Sequence, residues 1–140
     1  MSKMARRARV TLEIIIEAAA EIADTNGLNE VTLAALADKL NIASPSLYNH
    51  INRLQQLRKE LAIYSMEKLY NDLVYSTAGQ AGDDAVRALG KAYITFVRNH
   101  PGLYDSTFLS SDANDIEVQK AARKVVELSI RILSAYGLEE

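Results

Sequence analysis

Cysteine is absent from the 140 residues, which rules out disulfides and thiolate metal sites in this chain. Histidine occurs only twice, at His50 and His100, too far apart for a local metal-ligand motif, so neither a metal nor a cofactor is expected. With two prolines and six glycines there is little to interrupt helices, and Ala, Leu, Ile, Glu and Lys are abundant. No alternating strand pattern, internal repeat or low-complexity tract is present. No apolar run approaches the ~20 residues of a membrane span. The basic start MSKMARRARV leads into a polar amphipathic segment rather than a signal-peptide core, so a soluble, cytoplasmic protein with no membrane partner is expected. The chain also lacks a G-x-S-x-G elbow, a phosphate-binding glycine loop and a paired-carboxylate signature. Ser44, Ser46 and His50 co-occur, but nothing nearby marks a third group to orient a base, so catalysis is not expected.

Apolar residues make up 49% of the chain, enough for a real core, and the formal net charge is −2. That total hides an asymmetry. Residues 1–60 carry eight Lys/Arg against seven Asp/Glu, and residues 61–140 carry eight against eleven. The first ten residues hold Lys3, Arg6, Arg7 and Arg9 without an acid. Such an arm is either a solvated terminus or a local phosphate contact, which an acidic protein can still make.

Helix signals follow one another with short breaks. Leu12, Ile15, Ile16, Ala19, Ile22 and Ala23 form one stripe, with Thr11 as N-cap and Asn26-Gly27 as the stop. Thr32 is placed to cap a short helix burying Leu33, Leu36, Ala37 and Leu40, ended by Asn41, which tolerates positive φ. Ser44 then reads as a cap with Pro45 at the first helical position, opening a brief helix that turns Leu47 and Ile51 inward. A long helix is predicted from about Leu54 to Ser76, followed by a loop over 77–82 and a cap at Asp83 or Asp84. The next helix carries Ala85, Leu89, Ala92, Tyr93, Phe96 and Val97 on one face until His100-Pro101-Gly102 breaks it. Leu103 to Leu109 forms a short helical turn, 110–115 is a polar break, and a last helix runs from about Ile116 to Tyr136 before Gly137. The fold class is all-α.

The run from Val31, VTLAALADKLNIASPSLYNHI, places two short capped helices about a tight turn. In that arrangement the first helix supports the second, whose outer face and amino end can enter a major groove. Ser44, Ser46, Tyr48, Asn49 and His50 lie on the outer face and can all hydrogen-bond to phosphate or base edges; the amino end at Ser44 to Ser46 favours a phosphate.

These residues resemble the DNA-binding head of the TetR family. The match rests on Gly27, Thr32, Leu36-Ala37, Leu40, Ile42, the run from Pro45 to Ile51, and Leu57, and covers roughly residues 9–65. It continues loosely through YITFVRNHPGLYDSTF (93–108), which is similar to the ligand domain carrying a His-Pro-Gly signature. The resemblance implies a three-helix helix-turn-helix head joined by a long fourth helix to a helical ligand-binding and dimerisation body. The division is 1–53 for arm and head and 54–140 for an effector-binding domain lacking the family's last two helices. The chain is then either partial or dimerises another way.

By the same resemblance Thr32, Ser44, Pro45, Ser46, Tyr48, Asn49 and His50 face DNA, with Tyr48 on a phosphate and Arg6, Arg7 and Arg9 in the arm. Leu54 stands where a lysine is common, so that phosphate contact is either missing or supplied by Arg53. The body is rich in aromatics, with seven tyrosines against two phenylalanines. Core packing accounts for most of them, and in the family these helices also enclose an effector cavity, for which Tyr64, Met66, Tyr70, Tyr93, Phe96, His100, Tyr104 and Phe108 are the candidates. His100 can instead end its helix by hydrogen bonding. The expected function is a ligand-responsive transcription regulator, a repressor that binds a palindromic operator in double-stranded DNA as a homodimer and senses a small-molecule effector. The competing expectation is a helical protein-interaction module with a weakened DNA head.

Overall fold

A computed structural model of the chain describes residues 10–51, 53–109 and 115–134. Seven α-helices follow in order among the described residues, with no strand: α1 (Leu12–Asn26), α2 (Leu33–Leu40), α3 (Ser44–Tyr48), α4 (Leu54–Thr77), α5 (Gly82–Asn99), α6 (Pro101–Leu109) and α7 (Ile116–Leu133), plus one 3-10 turn at Leu28–Glu30. None of these helices is long and apolar enough to cross a membrane.

Local chemistry sets most boundaries. Thr11 Oγ1 accepts from Ile14 N at 3.2 Å and Thr32 Oγ1 from Ala35 N at 3.0 Å, so both threonines cap as expected. Gly27 stops α1 at φ 102°, a value that side chains rarely permit, and its N–H closes on Ala23 O. Asn41 ends α2 in the left-handed region at φ 54°, ψ 47°.

Two caps differ from expectation. Ala43, extended at φ −72°, ψ 145°, is the N-cap of α3, so Ser44 is already helical and makes no side-chain cap, while Pro45 takes the second position. The backbone decides this, because Ser46 N donates to Ala43 O at 3.0 Å. Likewise Ala81, not Asp83 or Asp84, precedes α5; the two acids lie in its first turn, where the helix dipole favours them. At the far end, Asp115 caps α7 through Glu117 N at 2.9 Å and Val118 N at 3.3 Å. That helix is assigned to Leu133, and Tyr136 and Gly137 lie outside the described residues.

Helix α4, 24 residues and roughly 36 Å long, is the axis of the molecule. It packs against α1, α5, α6 and α7, which explains why its buried positions (Leu57, Leu61, Ala62, Ser65, Met66, Leu69, Leu73) do not form a single stripe. One apolar cluster runs from Ile15, Leu36 and Leu47 in α1–α3 and Ile51 just after them to Leu57 and Leu73 on α4, Phe96 on α5 and Leu103 on α6. The first three helices therefore share a continuous core with the rest. Two serines are sealed inside, both on one carbonyl: Ser65 Oγ donates to Leu103 O at 2.7 Å and Ser106 Oγ at 2.5 Å. The pairing removes the penalty of burying hydroxyls.

Candidate nucleic-acid interface

Burial divides α3 and the turn after it cleanly. Leu47 and Ile51 are fully buried, whereas Ser44, Pro45, Ser46, Asn49 and His50 are exposed and Tyr48 is 46% exposed. The helix is held from below by two anchors and leaves its polar flank open to solvent. The His50 and Ile51 N–H groups both close on Leu47 O at 3.0 Å, so the chain turns sharply away after Tyr48. An open cleft of about 770 Å³ separates this flank from the end of α2, with Asn41, Ser46, Asn49 and His50 on its walls.

Among the remaining candidates Thr32 is exposed at the start of α2; its hydroxyl oxygen is engaged by Ala35 N, and its own proton remains free to be donated. Arg53 is exposed at the N-cap of α4. Arg6, Arg7 and Arg9 lie outside the described residues. The amino end of α3 offers fewer backbone donors than expected. Pro45 has no N–H, and that of Ser46 is used within the turn, so the Ser44 N–H and the Ser44 and Ser46 hydroxyls are what it presents.

The eight effector candidates do not converge on one spot. Met66 packs with Val118 and Ala121 towards α7, and Lys124 of α7 lies over the Tyr70 ring at 5.9 Å. Tyr64 faces α1, on the walls of two clefts bounded by that helix. The other five lie along α5 and α6 in two sets: Tyr93 meets Tyr104 edge-on at 6.3 Å and Tyr104 meets Phe108 at 5.0 Å as a ladder, while Phe96 meets His100 at 5.1 Å. Phe96 is a core residue and Phe108 is exposed. Burial raises the Tyr93 phenol above its ordinary value, and its pairing with Tyr104 adds to this.

His100 ends α5, its N–H bonded to Phe96 O at 2.8 Å, and its ring has a partner that no local pattern shows. Nδ1 lies 2.6 Å from Asp24 Oδ2 in the last turns of α1, while Leu103 N donates to Asp24 Oδ1 at 3.0 Å. A carboxylate only accepts, so Nδ1 carries the proton. Asp24 thus caps α6 from another helix. Gly102 makes that approach possible: a methyl built there would stand 2.7 Å from Asp24 N and overlap the Ala23 carbonyl. The His-Pro-Gly signature is therefore a joint between α1 and α6. Asp24 itself stands off the apolar stripe of α1 and looks like any other polar position of that helix in sequence. A second joint links α4 to the start of α7, where Lys59 Nζ stands 3.0 Å from Asp115 and 3.4 Å from Glu117. The Lys59 hydrogen bond holds Asp115 below the usual carboxylate range, and Asp115 raises Lys59 in turn.

Comparison with known proteins agrees with this geometry. Residues 15–51 match the family described as bacterial regulatory proteins, tetR family, and residues 86–140 match the tetracyclin repressor-like C-terminal domain. An uncharacterized HTH-type transcriptional regulator of Bacillus subtilis (strain 168) is 40% identical over 134 residues, covering 96% of this chain and 69% of its own length. One from Mycobacterium tuberculosis is 35% identical over 140 residues, covering 99% of this chain and 64% of the relative. The class D tetracycline repressor protein of Escherichia coli is 29% identical over 93 residues, 66% of this chain and 37% of that protein. Among solved structures, a protein with unknown function from Rhodococcus sp. RHA1 superposes with a TM-score of 0.77 at 19% identity, over 90% of this chain and 67% of the other, a likeness of fold.

Proposed function

Since the chain belongs to the TetR family of DNA-binding transcription regulators, we propose that it acts as a repressor, binding a palindromic operator as a homodimer and releasing it when a small molecule binds the helical body. The observation that carries this reading is the division of α3: two buried anchors under an open polar flank. In this reading Ser44, Ser46 and Tyr48 hold phosphates while Asn49 and His50 reach base edges; Thr32 and Arg53 grip the backbone on either side. Arg6, Arg7 and Arg9 add phosphate contacts from the arm. Pro45 contributes shape alone. Residues 1–53 serve as the DNA-binding unit and residues 54–140 as the effector-binding unit, with the Tyr93, Tyr104 and Phe108 ladder as the aromatic wall nearest the effector. The protein works in the cytoplasm, where its operator is.

Two heads related by a two-fold axis read half-sites about one helical turn apart or a multiple of it, roughly 34–36 Å per turn. An effector releases DNA only by binding the DNA-incompetent state more tightly than the competent one, by more than the free-energy gap between them. The test is selection of binding sites from a random duplex library with the purified chain, followed by titration of the selected duplex at increasing salt. Enrichment of an inverted repeat, with an affinity that falls steeply as salt rises, supports the reading. A chain that enriches nothing and binds no duplex at low salt refutes it.

A further inference from the structure

Between the first turns of α1 and the middle of α4 lies an open groove of about 380 Å³. Its floor is apolar: Leu12 and Ile16 from α1, Ile63 and Tyr64 from α4. Its rim is acidic, with Glu13 on one side and Glu60 and Glu67 on the other, and no basic side chain lines it. None of these three carboxylates has an ion-pair partner among the described residues. On its other side, Tyr64 borders a smaller cleft of about 240 Å³ that holds Glu17, Glu21 and Asp24. There Lys68 and His100 join the acids, with Glu21 paired to Lys39 and Asp24 to His100, so the unpartnered acids are those of the larger groove and Glu17. The Tyr64 phenol registers the acids on both sides: burial is the main cause of its raised pKa, and Glu17, Asp24, Glu13 and Glu21 add to it.

The chemistry of the groove selects its occupant. No group of acids among the described residues is arranged to hold a metal ion, and an apolar floor offers a bare ion nothing. An anion would meet three carboxylates, and a neutral apolar molecule would leave those charges unused. What matches both features is a molecule with an apolar body and one positive charge. A volume of this size lies in the range of small-ligand sites, and an aromatic ring in the floor adds attraction for a cation. We propose that the α1–α4 groove binds a lipophilic organic monocation, its body on Leu12, Ile16, Ile63 and Tyr64 and its charge among Glu13, Glu60 and Glu67. Because α1 is part of the DNA-binding unit and α4 leads out of it, an occupant wedges the seam on which the α3 flank is carried. Binding itself does not depend on the regulator reading; only its effect on DNA does.

The test uses two ions of the same shape and opposite charge, tetraphenylphosphonium and tetraphenylborate, titrated calorimetrically into the full chain without DNA. The phosphonium ion is expected to bind one per chain, more weakly as ionic strength rises, and the borate ion not to bind there. The double variant Glu13→Gln/Glu67→Gln should lose about tenfold in phosphonium affinity. Asp72→Asn, further along α4, should leave the affinity unchanged. In the parent chain, methyl resonances of Leu12, Ile16 and Ile63 should shift on titration, which locates the site without any substitution. Equal binding of the two ions, an unaltered affinity in the double variant, or shifts confined to other methyls each overturns the proposal. Phosphonium binding at this groove in a chain that selects no DNA would uphold the site while refuting the regulator reading.

Discussion

Gly102→Ala tests whether α1 and α6 are joined as tightly as the geometry indicates. The added methyl would lie 2.7 Å from Asp24 N and closer still to the Ala23 carbonyl. Carbon needs about 3.5 Å from such an atom, so the two helices must part by at least roughly 0.8 Å. Neither neighbour is a side chain that can swing away; both belong to the backbone of α1. The same displacement would stretch the 3.0 Å bond from Leu103 N to Asp24 past hydrogen-bonding range and loosen the 2.6 Å contact with His100. Overpacking costs about 1–3 kcal/mol, and losing a hydrogen bond to a charged group costs about 1.5–3 kcal/mol. Restricting the unfolded chain returns about 0.4–1 kcal/mol. The net loss is about 2–5 kcal/mol. At roughly 3 °C per kcal/mol for a chain of this length, Tm should fall by about 6–15 °C in a thermal melt followed by circular dichroism. A Gly102→Ala chain melting within about 1 °C of the parent would refute the close approach and, with it, the joint.

Three further predictions are independent of that one. If the Tyr48 hydroxyl holds a phosphate, Tyr48→Phe should weaken all duplexes alike, whereas Asn49→Ala should relax preference at one base pair by roughly 1–3 kcal/mol; binding of a selected duplex series by fluorescence anisotropy separates the two patterns, and parental behaviour of both variants refutes the assignment. Ser65→Ala removes a sealed hydroxyl but leaves Leu103 O still accepting from Ser106, so it should cost only about 0.5–1.5 kcal/mol in a urea titration; a much larger loss would mean that the carbonyl depends on Ser65. Tyr64 and Tyr93 both hold their protons more tightly folded than unfolded. Their contribution to stability is therefore full below about pH 10 and is lost as pH rises through that value towards their folded-state ones. Tyr93→Phe should flatten the alkaline fall in Tm, and an absorbance titration should show at least two phenols ionising late.

What the sequence revealed was local. Thr11, Thr32 and Asn41 act within three or four residues of themselves, so a reading of single turns finds them. The inward pair Leu47 and Ile51 follows from one helical repeat. Errors arise where a local preference meets a backbone decision: Ser44 is a good cap in isolation, yet the turn closes on Ala43, and Asp83 and Asp84 are good caps placed one turn-start late. On α7, Val118 and Ala121 are buried and Ala122 partly so, while Val126 and Ile130 remain exposed. The aromatic residues of the body carried least information. Tyr64, Tyr70 and Tyr93 look alike in sequence, and only tertiary packing sends the first two from α4 to α1 and α7 and the third from α5 to α6. The bond between His100 and Asp24 spans 76 positions, beyond any pattern of spacing.

In the proposed dimeric regulator, the clasp at Asp24 would constrain how an effector signal reaches DNA. Within one protomer, α1 is fixed to the body by the core it shares with α4 and by the bonds from α6. If the head turned relative to the body, both hydrogen bonds to Asp24 would break, at about 1.5–3 kcal/mol each. The effector would then need to favour the released state by roughly 3 kcal/mol or more, above a hundredfold in affinity. If instead each protomer pivots as one piece against its partner, the clasp survives and the effector need only shift the spacing of two intact units. Asp24→Asn distinguishes these. Its amide keeps an acceptor for Leu103 N but loses the charge, so a head that must detach becomes easier to release, and effector potency rises. A protomer that moves whole keeps its potency and loses only stability. The continuous core from Ile15 to Leu103 favours the second mechanism, because a sliding joint would expose apolar surface on both sides of α4.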